Sequence, residues 1–210
     1  MEKVFILAIF TTFLIGCGSK VGEADELKKS ESKEPAGAPD NVWTLKGLGA
    51  EGPDPALTEK LKLFGQFIGD WEIRSEWFRP DGTTVKGKGE VHYKWILKGT
   101  AIQDVWMGDI ETPPPGVPRT AFGTTIRIYD PKLDAWQVVW VEPSASVIQT
   151  FTARQAGDEI VLEGKNQEGA PERWIYSEIT PRSFQWRAEM FRDDQKTWEL
   201  LQKISARRVV

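Results

Sequence analysis

Cysteine and histidine, the side chains most often recruited for nucleophilic and metal chemistry, occur once each in 210 residues, as Cys17 and His92. A Ser/His/Asp or Cys/His arrangement needs a base beside its nucleophile, normally a histidine. His92 stands between Val91 and Tyr93, out of phase with the apolar residues of its stretch, and is expected on an outer surface. One thiol and one imidazole cannot build a zinc cluster, and one thiol cannot form an intrachain disulfide. Gly87-Lys88-Gly89 is the nearest approach to a phosphate loop, but no helical pattern follows it. Carboxylates remain. Asp104, between Ile102 and Trp106, and Glu189 are the candidate desolvated acids, whose pKa burial would raise. A bond to a neighbouring Arg or Tyr is the simpler expectation for such an acid, and Asp193-Asp194 reads as a solvated turn. With 27 Lys and Arg against 31 Asp and Glu, the net charge is −4, which excludes the basic surface of a nucleic-acid binder. No catalysis, metal or cofactor is expected.

Cys17 has a different use. After Lys3, Val4 to Ile15 form an apolar run broken only by Thr11 and Thr12. It is shorter than the roughly 20 residues of a permanent span and has the length of a secretory hydrophobic region. Leu14-Ile15-Gly16-Cys17 resembles the bacterial lipobox, in which a small residue precedes a cysteine that receives diacylglycerol before cleavage. The resemblance implies a signal peptide over residues 1–16 and an acylated, palmitate-bearing Cys17 that makes the bilayer a partner. Two or more acyl chains anchor a protein stably. Gly18, rather than Asp, resembles the outer-membrane sorting class of a Gram-negative envelope, with the domain in the periplasm or at the surface. A secreted protein with a free cysteine, or an uncleaved anchor, is the alternative.

Residues 17–55 are rich in Gly, Ser, Pro, Lys and Glu, with Trp43 as the only large apolar anchor, and read as a flexible tether. A single domain over 56–210 follows. Leu57, Leu61, Phe64 and Ile68 recur at helical spacing, predicting one short helix over about 56–67. From Asp70 onward the pattern alternates in twos. Turn chemistry breaks it at Pro80-Asp81-Gly82, Lys98-Gly99, Asp130-Pro131, Ala156-Gly157-Asp158, Glu168-Gly169-Ala170, Pro181-Arg182 and Arg192-Asp193-Asp194. The expected strands are 70–78, 84–97, 100–108, 123–130, 136–142, 147–155, 159–166, 172–180, 183–191 and 197–207. Ten short-linked antiparallel strands close most economically into an all-β up-and-down barrel, and a sandwich is the alternative. Residues 109–122, with Pro113, Pro114, Pro115 and Pro118, form the one long loop, expected at the barrel mouth.

Ten tryptophans are many for such a domain. Trp71, Ile73, Ser75 and Trp77 share one face of their strand. Val91, Tyr93, Trp95 and Leu97 do likewise, as do Ile102, Asp104 and Trp106; then Trp136, Val138 and Trp140; Trp174 with Tyr176; Phe184 with Trp186; and Trp198 with Leu200. The indoles either fill a wide core or line a cavity for an apolar or aromatic ligand. Ser75 and Asp104 favour the cavity, since a dry core would leave them unpaired. A one-residue slip would instead turn Arg74, Arg127 or Arg187 inward.

Phe67-Ile68-Gly69-Asp70-Trp71-Glu72 resembles the first-strand signature of calycin barrels, where Gly-x-Trp follows a short helix. In lipocalins that Trp packs near a basic residue of the last strand, here Arg207 or Arg208. The longer pattern resembles the bacterial domain-of-unknown-function family 1579 over residues 57–208. The matching stretches are Gly69-Asp70-Trp71, Gly123-Thr124-Thr125-Ile126-Arg127-Ile128-Tyr129-Asp130-Pro131 with Trp136, and Phe184-Gln185-Trp186 with Lys196-Thr197-Trp198. The nitrobindin-like haem barrel opens similarly, but its histidine lies near the C-terminus and residues 197–208 contain none, so haem is not expected. The resemblance implies a lipocalin-like fold with a vague binding role. The function expected is a membrane-tethered lipoprotein that binds a small apolar or aromatic ligand without reaction. Trp71, Trp77, Trp95, Trp106, Trp140 and Trp186 are its expected wall, and Asp104 or Arg127 its polar anchor. An envelope structural or interaction protein with a filled barrel is the alternative, and an isomerase or hydrolase using a buried carboxylate a more distant one.

Overall fold

The computed structural model describes residues 48–113, 119–194 and 196–209. The signal segment, Cys17, Trp43 and most of the expected tether lie outside the described residues, as do Pro114, Pro115 and Pro118. Alternating stretches separated by turn residues can only bury their apolar faces by curling around one another, and they do. The strands are β2 (Gly69–Phe78), β3 (Thr84–Ile96), β4 (Ala101–Ile110), β5 (Thr120–Asp130), β6 (Ala135–Glu142), β7 (Val147–Ala156), β8 (Glu159–Lys165), β9 (Pro171–Ser177), β10 (Ser183–Arg192) and β11 (Thr197–Arg208). Each pairs antiparallel with the next, and β11 returns to β2 from Gln202↔Trp77 to Arg208↔Trp71. The result is a closed ten-stranded up-and-down barrel, without the unpaired edges of an open sheet.

Pairing begins upstream of Ala56. Strand β1 (Gly49–Ala50) lies beside Ile96 and Trp95 of β3, inside the stretch expected to be tether. The following residues run over Gly99, whose carbonyl accepts the Asp54 amide at 3.0 Å. Gly99 adopts φ +81°, and a Cβ there would sit 2.2 Å from the Gly52 carbonyl oxygen, so only glycine fits this crossing.

Helix α1 (Thr58–Gly65) closes one end of the barrel. It is shorter than 56–67, and the early stop changes which side chain points inward. Leu61, Phe64 and Phe67 are fully buried, whereas Ile68, expected on the apolar face, is half-buried because the helix has already ended. Phe67 packs on Phe184 and Tyr176, each at 5.0 Å between ring centroids. Phe64 meets Trp136 edge-on at 5.0 Å. Trp71 donates its Nε1–H to the Phe67 carbonyl at 2.7 Å, and its ring is covered by the Arg208 guanidinium at 4.1 Å. Arg208 also donates to the carbonyls of Gln66 (2.7 Å), Ile68 (2.5 Å) and Pro181 (2.7 Å). Of the two basic residues expected to meet Trp71, Arg208 is therefore the one, and it fastens the helix to the last strand.

Most strand boundaries expected from the sequence hold within a residue or two, but two inward assignments fail. Leu97, expected to continue the face of Val91, Tyr93 and Trp95, falls in the turn after β3 with φ +51° and is exposed. The second failure lies in β11. Ala188 pairs with Gln202 and Glu189 with Leu200, so Leu201 is an extra residue in β11. This bulge reverses the alternation beyond it. Trp198 and Leu200, expected inside, share the outer face with Glu189; Trp198 stacks there under Arg173 at 4.1 Å. Glu189 itself accepts from Arg173 and Arg187 on that face and is no interior acid.

Candidate functional site

Two ends of the barrel differ. Helix α1 and the indoles of Trp71, Trp95 and Trp136 fill the closed end. At the other end, which carries the β2–β3, β4–β5, β6–β7, β8–β9 and β10–β11 turns, the interior opens into a cavity of about 540 Å³. Trp77, Trp106, Trp140, Trp174 and Trp186 form its wall. Trp77, Trp106, Trp140 and Trp186 point inward yet are only partly buried, which an interlocked core would not allow. The indoles touch edge-to-face around the wall: Trp106 to Trp140 at 6.3 Å, Trp140 to Trp174 at 6.0 Å, and Trp174 to Trp186 at 5.4 Å.

Glycines explain how such large side chains leave a lumen. A Cβ on Gly123 would lie 2.2 Å from the Trp140 ring, one on Gly108 2.5 Å from Trp106, and one on Gly87 2.8 Å from Trp77. Each indole thus lies flat over a strand position that has no side chain, against the wall instead of across the axis.

Beneath the indoles lies a polar floor. Asp104 and Arg127, 3% and 1% exposed, form a buried ion pair between Oδ2 and Nη1. Arg127 Nη2 donates to the Tyr176 hydroxyl at 3.1 Å, and that oxygen lies 3.4 Å from the hydroxyl of Tyr93. The guanidinium is sandwiched near the rings of Phe64 (5.2 Å) and Tyr93 (5.3 Å). Burial works against the Arg127 charge, but Asp104, Tyr176 and Tyr93 outweigh it and hold its pKa above the ordinary value. Burial pushes the Asp104 carboxyl up, and Arg127 pulls it back only in part. Tyr93 is raised well above the usual phenol, first by burial and then by Tyr176 and Asp104. Among the described residues, two donors of lining side chains have no protein partner: Arg127 Nε and Trp106 Nε1.

Toward the mouth stand two more acids. Glu172 opens β9 and accepts from Trp174 Nε1 at 2.7 Å and Gln149 Nε2 at 2.9 Å. Glu142 closes β6 and accepts from the Ser144 hydroxyl at 3.3 Å. Burial raises both carboxyls above the ordinary range, and these hydrogen bonds offset only part of it.

Of the residues singled out in the sequence, Trp77, Asp104, Trp106, Arg127, Trp140 and Trp186 come together on the cavity lining. Trp71 and Trp95 do not. They face inward as expected but sit at the closed end, Trp71 under Arg208 and Trp95 against Gly65 of the helix. Alternation assigns a side chain to a face and says nothing of its height along the barrel. Trp174, Tyr176, Glu172 and Glu142 belong to the lining and were missed as site residues, although Glu172-Trp174-Tyr176 and Trp140-Glu142 keep the spacing of two. Ser75 faces the interior, buried and without a hydrogen-bond partner, but off the lining. Arg74 is exposed, and Arg187 pairs with Glu159 and Glu189 outside. His92 also lies outside, 2.8 Å from Asp70 through Nδ1. Ile110 and Ala121, which flank the long loop, line the cavity at the mouth.

Among the described residues there is no cluster of His, Cys, Asp or Glu suited to a metal, and no helix long and apolar enough to cross a membrane. No family model matches the chain, and no curated protein does. Solved structures do share the fold. The S-type phycobiliprotein lyase CPES from Guillardia theta is 12% identical, aligned over 71% of this chain and 92% of its own, with a TM-score of 0.51. Rv2717c from M. tuberculosis is 15% identical over 75% of this chain and 99% of its own, with a TM-score of 0.52. At such identities the likeness shows a shared barrel fold and nothing about chemistry.

Proposed function

We propose that this chain is a lipid-anchored envelope protein whose barrel takes up a small apolar or aromatic ligand and does not transform it. The observation that carries the binding reading is the 540 Å³ cavity walled by indoles, plugged by helix α1 at one end and open at the other. Its volume falls within the range of about 300–1,000 Å³ typical of small-molecule sites, and its apolar wall with a few convergent polar groups matches their composition. The filled-barrel alternative is disfavoured by the partly exposed inward indoles. A catalytic reading has less support. The buried Asp104 is engaged by Arg127, and the lining holds no histidine.

The anchor rests on the sequence alone: the apolar run, Gly16 and Cys17 in lipobox order, with Gly18 pointing to outer-membrane sorting. Membership in the domain-of-unknown-function family 1579 is part of the same proposal, supported by the order of Gly69-Asp70-Trp71, the β5 stretch and the paired aromatics of β10 and β11. Solvent extraction of the purified protein followed by mass spectrometry tests the binding claim. A single co-purifying small molecule released on denaturation is expected; indoles that respond to no apolar probe would overturn it. Cys17→Ala is expected to abolish palmitate labelling and membrane fractionation, and persistent labelling would refute the anchor.

A further inference from the structure

The acids of the cavity are not balanced by cations. Its charged lining comprises four carboxylates, Asp81, Asp104, Glu142 and Glu172, and two cations, Arg79 and Arg127. Arg127 is taken up by Asp104 at the floor, and Arg79 stands with Asp81 in the exposed rim turn. Glu142 and Glu172 are buried, and neither forms an ion pair among the described residues. A buried carboxylate without a countercharge is costly and is ordinarily paired.

One of these carboxylates leans on an indole: Trp174 donates Nε1–H to Glu172 at 2.7 Å. Glu142 stands two residues beyond Trp140 on β6, and both line the cavity. The rings of Trp140 and Trp174 are edge-to-face neighbours, 6.0 Å apart. An indole N–H bonded to a carboxylate is polarised by it, which makes the ring face more negative and a better seat for a cation. We infer that the ligand is an organic cation, a protonated or quaternary amine on an apolar or aromatic body. Its charge lies beside Glu142 and Glu172 against the faces of Trp140 and Trp174, and its body runs down the indole wall. An anionic ligand would pass two carboxylates to reach a guanidinium that Asp104 already neutralises. This assignment rests on the ligand-binding reading above and adds the charge of the ligand to it.

Isothermal titration of the full anchored chain in lipid nanodiscs, corrected with empty discs, tests it with three probes of matched size. These are benzyltrimethylammonium, its neutral carbon isostere neopentylbenzene, and phenylacetate. The cation is expected to bind about tenfold or more tighter than the isostere, and phenylacetate weakest of all. Glu172→Gln and Glu142→Gln keep the shape and remove the charge. Each is expected to weaken the cation by about tenfold while leaving neopentylbenzene within about twofold. Equal or tighter binding of the isostere by the parent protein overturns the cationic assignment and leaves the apolar site standing. No binding of any probe overturns both.

Discussion

Replacing Asp104 with Asn leaves the Arg127 guanidinium 1% exposed and without its countercharge. The Asn amide oxygen and the Tyr176 hydroxyl, at 3.1 Å, can still accept from it, but neither carries a charge. Arginine does not shed its proton, so the protein cannot escape by neutralising the site. Breaking a buried pair in this way costs about 3–5 kcal/mol. For a domain of this size that corresponds to a fall in melting temperature of roughly 6–20 °C. The converse variant, Arg127→Met, differs in kind. It strands a carboxyl whose pKa burial already raises, and that carboxyl can take up a proton, so its penalty shrinks as pH falls while that of Asp104→Asn persists. The double variant Asp104→Leu with Arg127→Met is expected near the parent's stability, because it removes both desolvated charges. Urea denaturation of all four proteins at two pH values compares these penalties directly. A loss below about 1 kcal/mol for Asp104→Asn would mean that water from the cavity solvates Arg127 as it does a surface ion pair. The polar floor would then not be a dry anchor.

Further expectations follow from the same geometry. Gly123→Ala puts a methyl 2.2 Å from the Trp140 ring, which must swing into the lumen. A stability loss of about 1–3 kcal/mol is expected, together with weaker uptake of apolar probes; unchanged uptake would mean the indoles do not define the cavity. Burial raises Glu172, so the folded chain holds that proton more tightly than the unfolded one. The stabilisation this gives is complete below the ordinary carboxyl range and is lost as pH rises through the folded value. The melting temperature of Glu172→Gln relative to the parent should therefore climb with pH over that window, and a flat difference would contradict the burial. Arg208→Gln removes three donors to carbonyls of the helix end and the β9–β10 turn, with a ring stacking. A loss of about 2–3 kcal/mol and faster hydrogen exchange over residues 58–68 are expected, and unchanged exchange would argue against the staple.

The fold was legible because its two signals are local. Alternation in β2 to β10 and glycine- or aspartate-bearing turns place most strands within a residue or two of their observed limits. A basic residue of the last strand over Trp71 was legible too, as Arg207 or Arg208, from the resemblance carried by the Gly-x-Trp opening of β2; only the register picks Arg208. The site was legible only in part, for three physical reasons. Height along the barrel is set by shear between strands, so Trp71 and Trp95 share a face with Trp77 yet end up in the plug beneath helix α1. A single bulge at Leu201 turns Trp198 and Leu200 outward, and no residue type marks it. The lumen depends on glycines lying under indoles of neighbouring positions, Gly123 under Trp140 and Gly87 under Trp77, and that match needs the register as well as the sequence.

The open end of this barrel is proposed as a site for a small apolar molecule. Titration with N-phenyl-1-naphthylamine, following energy transfer from the wall indoles to the probe, reads its occupancy directly. A saturable response at one probe per chain is expected, weakened in Gly123→Ala. A response that rises linearly without saturation, or that is unaltered in the variant, would contradict it.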